Sequence, residues 1–348
     1  MSAAKKSKQP QKIQKTPRPW YLILLRGVLL FAVVPYAAIV LLFVVFQRSL
    51  IYRPTVSSSL TAEECGIPDA AVDVRLQTKD GKTLNGWLLK AKGTRSRKIK
   101  HPLVIYFPGN AGHRLARMVD LEEYAALDFD VLIFDYRGYG DSAGSPSQPA
   151  LESDAKQIWE FVHDKLGYDA SHIVVFGESL GGAVALSLWS ADVGDANRPN
   201  PAAVILNSTF YSMSDMASWH YPWFPFRIAL RDRWPSFERI RRVTSPVIIF
   251  HGTEDRLIPF KQGQQLASQA TNGRLISIQG GTHNLIPVDQ IGRELEQIRG
   301  QIGLRDEEEK SKKDESEPSN GTSEKTDPGE SLKDSDREKP GAQDASTP

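Results

Sequence analysis

Apolar residues follow two patterns between Val72 and Ile302. The stretches VDVRLQT from Val72 and TLNGWLL from Thr83 alternate apolar and polar positions, the period of a strand with one buried face. Asp80-Gly81 lies between them, a pair that favours the turn of a hairpin. Unbroken apolar runs follow: LVIYF at Leu103, VLIFD at Val131, IVVFG at Ile173, AVILN at Ala203, VIIFH at Val247 and LISI at Leu275. Short runs rich in β-branched residues suit strands buried on both faces, as in a parallel sheet. Between them, apolar residues recur at helical spacing over Ala150–Leu166, Lys261–Ala270 and Asp289–Ile302. This alternation predicts an α/β fold with a doubly wound, mostly parallel sheet and the antiparallel opening pair at one edge. Ligands of such sheets bind outside the carboxyl ends of the strands. Residues that follow strands are therefore where chemistry is expected.

The two ends of the chain break the pattern. GVLLFAVVPYAAIVLLFVVF, residues 27–46, carries no charge. At helical rise it spans roughly the 30 Å hydrocarbon core of a bilayer. The run is too long for the apolar core of a signal peptide and continues well past Ala37 and Ala38. An uncleaved transmembrane anchor over 27–46 is expected, kinked at Pro35 and flanked by Trp20, Tyr21 and Tyr52. Seven basic residues (Lys5, Lys6, Lys8, Lys12, Lys15, Arg18, Arg26) and no acid occupy residues 1–26, whereas Arg48 and Arg53 alone follow closely. This asymmetry predicts a basic cytoplasmic N-terminus over 1–26 and a domain over 47–305 on the non-cytoplasmic side. From Asp306 onward Leu332, Ala342 and Ala345 are the remaining apolar residues, and fourteen acids face seven bases. Such a segment buries too little to fold, so 306–348 is expected to be a disordered acidic tail.

Net charge is +1 because the two ends cancel, which leaves no basic stripe in the middle and argues against a nucleic-acid partner. The single cysteine, Cys65, rules out an intramolecular disulfide. Cys/His metal spacing, a dinucleotide fingerprint and a Walker loop are all absent from the sequence, so neither cofactor nor metal is expected.

Gly177-Glu178-Ser179-Leu180-Gly181 joins the run IVVFG to the small-residue run LGGAVAL. Strand, sharp turn and helix form the context of a nucleophile elbow, and glycines on either side allow the backbone to crowd. A serine hydroxyl needs a base, and the base needs an orienting acid. His283 follows LISI, and Asp255 follows VIIFH, so Ser179, Asp255 and His283 each come after a predicted strand. Glu254, beside Asp255, is an alternative acid. Asp232 has no strand ahead of it, His251 is expected to support its loop, and His113 lies near the first loop. Oxyanion donors are expected from the backbone N–H of Leu180 and from the loop PGNAGHR after LVIYF, at Asn110 or Ala111.

FPGNAG, DYRGYGDSAGSP, GESLGG, HGTEDRLIP and GGTHN occur in this order and together resemble the α/β-hydrolase superfamily. QRSLIYRPT after the apolar span and TFYSMSDMASWHYPWFPF after the fourth parallel run resemble the membrane-associated α/β-hydrolase-domain family, which includes protein depalmitoylases. The resemblance covers roughly 47–302. It implies an α/β-hydrolase fold and a serine hydrolase working through Ser179, Asp255 and His283. Where the depalmitoylases carry a cysteine-rich, lipidated N-terminus, this chain has an apolar span and one cysteine.

Residues 207–240 are crowded with aromatics: Phe210, Tyr211, Trp219, Tyr221, Trp223, Phe224, Phe226, Trp234 and Phe237. This insertion is expected to form a cap that shapes an acyl pocket over Ser179; a core cluster or a membrane-facing patch is the alternative. The function expected is a membrane-anchored serine hydrolase acting on an acyl ester or thioester. An aminopeptidase or amidase on the same triad remains open, and so does a non-catalytic binding module, though such modules usually lose a triad member.

Overall fold

Among the residues that the computed structural model describes (19–93, 100–194, 198–284 and 287–316), eight strands hydrogen-bond into one sheet. They are β1 (Ala71–Gln77), β2 (Thr83–Leu89), β3 (Leu103–Phe107), β4 (Asp130–Phe134), β5 (Ile173–Glu178), β6 (Ala203–Asn207), β7 (Val247–Gly252) and β8 (Gly273–Ile278). Their order is β1-β2-β4-β3-β5-β6-β7-β8. β1 pairs antiparallel with β2, and β2 antiparallel with β4; the other pairs are parallel. The expected antiparallel pair thus sits at one edge. Gly81 supplies the positive φ, 75°, in the turn between β1 and β2.

Two strands differ from their sequence patterns. β2 alternates in sequence yet is buried along most of its length, because β4 pairs with its far side. β8 reads as an apolar run but is only half-buried at Leu275 and Ile276, because it has a neighbour, β7, on one side and forms the other edge.

The sheet reverses direction between β3 and β5. The chain leaves β3 for β4 on one side, then crosses back to β5 on the other. Loops at the carboxyl ends of these neighbours diverge and leave a crevice. Helices cover both faces: α2 (Met118–Ala126), α3 (Gln148–Asp164), α4 (Leu180–Leu186) and, later in the chain, a long C-terminal helix. Alternate strand residues divide between the two cores. Ile105, Phe107, Leu132 and Val175 pack with Leu151 and Ile158 of α3 and Val184 of α4. Val104, Tyr106, Ile133 and Phe176 pack on the other face with Leu121 and Tyr124 of α2 and Leu295 and Ile298 of the C-terminal helix. Each such fully buried large side chain contributes about 1.5–3 kcal/mol.

An N-terminal helix, α1, runs from Trp20 to Ile51 and is long and apolar enough to cross a membrane by length and composition. Residues Leu29–Val33 form a π turn just ahead of Pro35. The wider turn accommodates a ring that would otherwise meet the carbonyl of Phe31. The basic residues before Pro19 lie outside the described residues.

The insertion carries three short helices, α5 (Met213–His220), α6 (Phe226–Ala229) and α7 (Ser236–Ile240). Its aromatics part company. Phe210, Phe226 and Trp234 are buried, Tyr211 stacks on Phe237, and Trp219, Tyr221 and Trp223 are exposed. After α8 (Phe260–Ala267) and β8, the C-terminal helix α9 runs from Val288 to Ser316. α9 thus runs through 306–316, the first part of the segment expected to be a disordered tail, where Glu and Lys are strong helix formers. Residues 317–348 lie outside the described residues. The chain divides into one unit ending at Leu304 and a second beginning at Arg305.

Candidate active site

β5 delivers Ser179 into a sharp turn ahead of α4, with φ 52° and ψ −114°. A non-glycine residue holds that conformation only where its surroundings enforce it. Here Ser179 N–H donates to Asn207 O at 2.8 Å, and Thr209 Oγ1 donates to Ser179 O at 3.3 Å. The turn also lies against the end of β3. A Cβ on Gly181 would collide with the carbonyl oxygen of Phe107, and one on Gly177 would meet the Cα of Gly182. The glycines are required by this close approach. Gly182 is under the same constraint from Thr209, a contact that the five-residue motif does not signal.

β7 delivers Asp255 and β8 delivers His283. His283 Nε2 lies 3.1 Å from Ser179 Oγ, and His283 Nδ1 lies 2.8 Å from Asp255 Oδ2. The Asp255 carboxylate is buried; its Oδ1 accepts from Leu257 N–H at 2.9 Å and Ile258 N–H at 2.8 Å. Those two donors fix the carboxylate with Oδ2 turned toward the imidazole. The arrangement favours the tautomer with the proton on Nδ1, which leaves Nε2 free to accept from the serine hydroxyl. The structure thus brings Ser179, His283 and Asp255, separated by up to 104 residues, into one hydrogen-bonded chain.

Asn110 and Ala111 lie in the loop after β3, beside the turn at Ser179. Leu180 opens α4, where N–H groups have no intrahelical acceptor. Among the described residues no acceptor meets the N–H of Asn110, Ala111 or Leu180. The Asn110 side chain is otherwise engaged. Its Nδ2 donates to Ile51 O at 2.6 Å, and its Oδ1 accepts from Tyr139 Oη–H at 2.7 Å. The last turn of α1 is therefore tied to this loop.

The weighed alternatives fall elsewhere. Glu254 is exposed, with its N–H on Gly281 O and no bond to His283 among the described residues. His251 is fully buried, with Nε2 2.8 Å from Ile258 O and 3.5 Å from Asp255 Oδ2. Burial holds its pKa below the ordinary value, so it is a neutral support for the Asp255 loop. Asp232 is buried away from Ser179. It accepts from Tyr52 Oη–H at 2.8 Å, from Arg48 at 3.3 Å and from Gln148 N–H at 3.1 Å, tying the insertion to α1. His113 sits at the start of the turn Arg114–Arg117, with Nδ1 unpartnered among the described residues.

Sequence reasoning passed over Glu178, the second residue of the motif. It accepts from Arg117 Nε at 2.6 Å, Tyr106 Oη–H at 3.1 Å and Gly109 N–H at 3.3 Å. Arg117 also donates to Ala111 O at 3.1 Å. The pair braces both ends of the loop that carries Asn110 and Ala111. Burial, then the Glu178 charge, raises the carboxyl of neighbouring Asp120 above its usual range. A charged residue beside the serine was the one signal available.

The family described as α/β hydrolase fold matches residues 102–224. An uncharacterized protein of Mycobacterium tuberculosis is 37% identical over 239 residues, covering 68% of this chain and 80% of that one. The α/β hydrolase domain-containing protein WAV2 of Arabidopsis thaliana is 32% identical over 240 residues, covering 63% and 74%. Among solved structures, the Pyrococcus furiosus esterase Pf2001 superposes with a TM-score of 0.54 at 17% identity, covering 72% of this chain and 97% of that one.

Proposed function

The chain belongs to the α/β-hydrolase family, and from that premise we propose that it is a membrane-anchored serine hydrolase cleaving carboxylic ester or thioester bonds. The observation that carries this reading is the hydrogen-bonded chain Ser179–His283–Asp255 at the carboxyl ends of the strands. Ser179 Oγ attacks the acyl carbonyl carbon while His283 Nε2 takes the hydroxyl proton. Asp255 holds the Nδ1–H and stabilises the imidazolium. The oxyanion lies between the N–H of Leu180 and that of Asn110 or Ala111. Collapse of the tetrahedral intermediate expels the alcohol or thiol, which takes the proton from His283. Water then attacks the acyl-enzyme, losing its proton to His283, and collapse of the second tetrahedral intermediate breaks the bond to Ser179 Oγ, which takes that proton back as the carboxylic acid leaves. No step calls for a cofactor or metal.

The unoccupied N–H groups around Ser179 and the esterase-like neighbours support this reading over a purely binding role. The apolar helix α1 is the proposed anchor, with the basic N-terminus cytoplasmic and the hydrolase domain on the other side.

The test is hydrolysis of p-nitrophenyl acyl esters of graded chain length by the full chain. Ser179→Ala is expected to lower kcat on the order of 10⁴-fold or more. Undiminished turnover in that variant removes the assignment. An activated phosphonate should label the parent chain at Ser179 and leave the variant unlabelled.

A further inference from the structure

The exposed aromatics of the insertion do not scatter. Trp219, Tyr221, Trp223 and Ile228 are 57%, 54%, 85% and 78% exposed, and all lie within ten residues. Tyr221, Trp223 and Ile228 belong to a tip, residues 221–230, that runs along α1, and Trp219 lies at its base. Tyr36 Oη–H donates to Trp223 O at 2.7 Å, Tyr36 stacks on Phe224, and Phe43 packs edge-on to Phe224 and Phe226. Val40 and Val44 face Pro225 and Ala229 across a narrow crevice. Closer to the domain, Gln47 Oε1 accepts from Arg231 N–H at 2.7 Å. From Gln47 back to Tyr36 the helix rises about 16 Å. The tip therefore follows α1 into its uncharged stretch, and the outer surfaces of both are apolar.

The backbone of the tip suits an apolar surrounding. Six of the eight N–H groups from 221 to 230 (Tyr221, Phe224, Phe226, Ile228, Ala229 and Leu230) are donated internally, while those of Trp223 and Arg227 meet no acceptor among the described residues. Pro222 and Pro225 have no N–H to satisfy. A lipid-exposed segment needs such internal satisfaction, because hydrocarbon offers no partner. Arg227, the one charge from 221 to 230, is paired with Asp215 at 3.3 Å and has a long stem that can reach toward the interface.

The tip is joined to both walls of the site. At its base His220 Nε2 lies 2.8 Å from Leu257 O, and Leu257 N–H holds Asp255. At the end of α1, Ile51 O holds Asn110. We infer that the Trp219–Ile228 tip inserts into the lipid leaflet from which α1 emerges, and that the site takes acyl chains directly from that leaflet. The inserted surface is the tip; the substrate class is an acyl ester or thioester dissolved in the bilayer. The second half rests on the hydrolase reading above, and the first rests only on α1 as the proposed anchor.

The test uses the full chain in phosphatidylcholine vesicles, with Cys65→Ser as background. An environment-sensitive fluorophore is attached at Trp223→Cys and, as control, at Val119→Cys, an exposed position on α2. Brominated lipid is expected to quench the probe at 223 at least about threefold more than the probe at 119. Equal quenching overturns insertion. Shielding at 223 that lipid does not quench and that dilution of the protein abolishes also overturns it, and assigns the face to a second copy of the chain. The kinetic arm compares Trp223→Asp with the parent chain. Hydrolysis of a long-chain ester dissolved in the vesicles should fall about tenfold or more, with p-nitrophenyl acetate hydrolysis unchanged. Unchanged rates on the dissolved ester overturn uptake from the leaflet. If the parent chain hydrolyses neither ester, the hydrolase reading fails, and the quenching still decides insertion.

Discussion

Glu178 stands next to the serine but works through the neighbouring loop. Its carboxylate receives the N–H of Gly109 and the guanidinium of Arg117, and Arg117 reaches on to Ala111 O. The loop that offers the Asn110 and Ala111 N–H groups is thereby held from both sides. Glu178 is a positioning residue, so its loss should act on the transition state more than on substrate binding. Glu178→Gln keeps the size and weakens the charged hydrogen bonds, each worth about 1.5–3 kcal/mol. The expected outcome is a fall in kcat of about tenfold on p-nitrophenyl acetate with KM little changed, and phosphonate labelling of Ser179 slowed in parallel. A change confined to thermal stability would show that the brace is structural alone.

At the scale of elements, the last turn of α1 is built into the domain as firmly as any strand end. Tyr52 is buried, and burial, then the charge of Asp232, pushes its hydroxyl well above the usual range, so it remains a donor to Asp232. Trp234 Nε1 donates to Tyr52 Oη at 3.2 Å, and Arg53 N–H donates to Tyr139 Oη at 3.2 Å. Removing this turn leaves Asp232 with the Gln148 N–H and Asn110 with the Tyr139 hydroxyl, stripped of Arg48, Tyr52 and Ile51, a cost of several kcal/mol across the buried groups. A chain starting at Gln47 retains these contacts, and a chain starting at Pro54 loses them. The second is expected to lose about tenfold or more in esterase activity relative to the first and to melt at a lower temperature. Equal activities would show that Asn110 holds its place without Ile51.

For the whole molecule, the proposed anchor makes the sidedness of α1 the feature that decides which compartment the site serves. The seven basic residues ahead of the span predict the N-terminus in the cytoplasm. Protease applied from the cytoplasmic side of sealed vesicles is expected to leave the hydrolase domain intact and to cleave it once the membrane is opened. Cleavage from the cytoplasmic side at the outset would reverse the orientation.

The strand–helix alternation, the sheet class and the position of each candidate residue after a strand follow from residue order alone. These are properties of neighbours along the chain: a period, a glycine pair around a turn, a short apolar run between turns. Ser179, Asp255 and His283 were legible for that reason, since each lies at the end of its own local pattern. Folding set whatever depends on partners far apart in sequence. It buried β2 by pairing it with β4 and left β8 at the edge. It joined Glu178 to Arg117, Asp232 to Tyr52 and Asn110 to Ile51. It also sent Trp223 outward and Trp234 inward, although both belong to the same aromatic insertion. Residue type sets how much an aromatic gains by leaving water, but packing against a surface assembled from the rest of the chain sets which one does so.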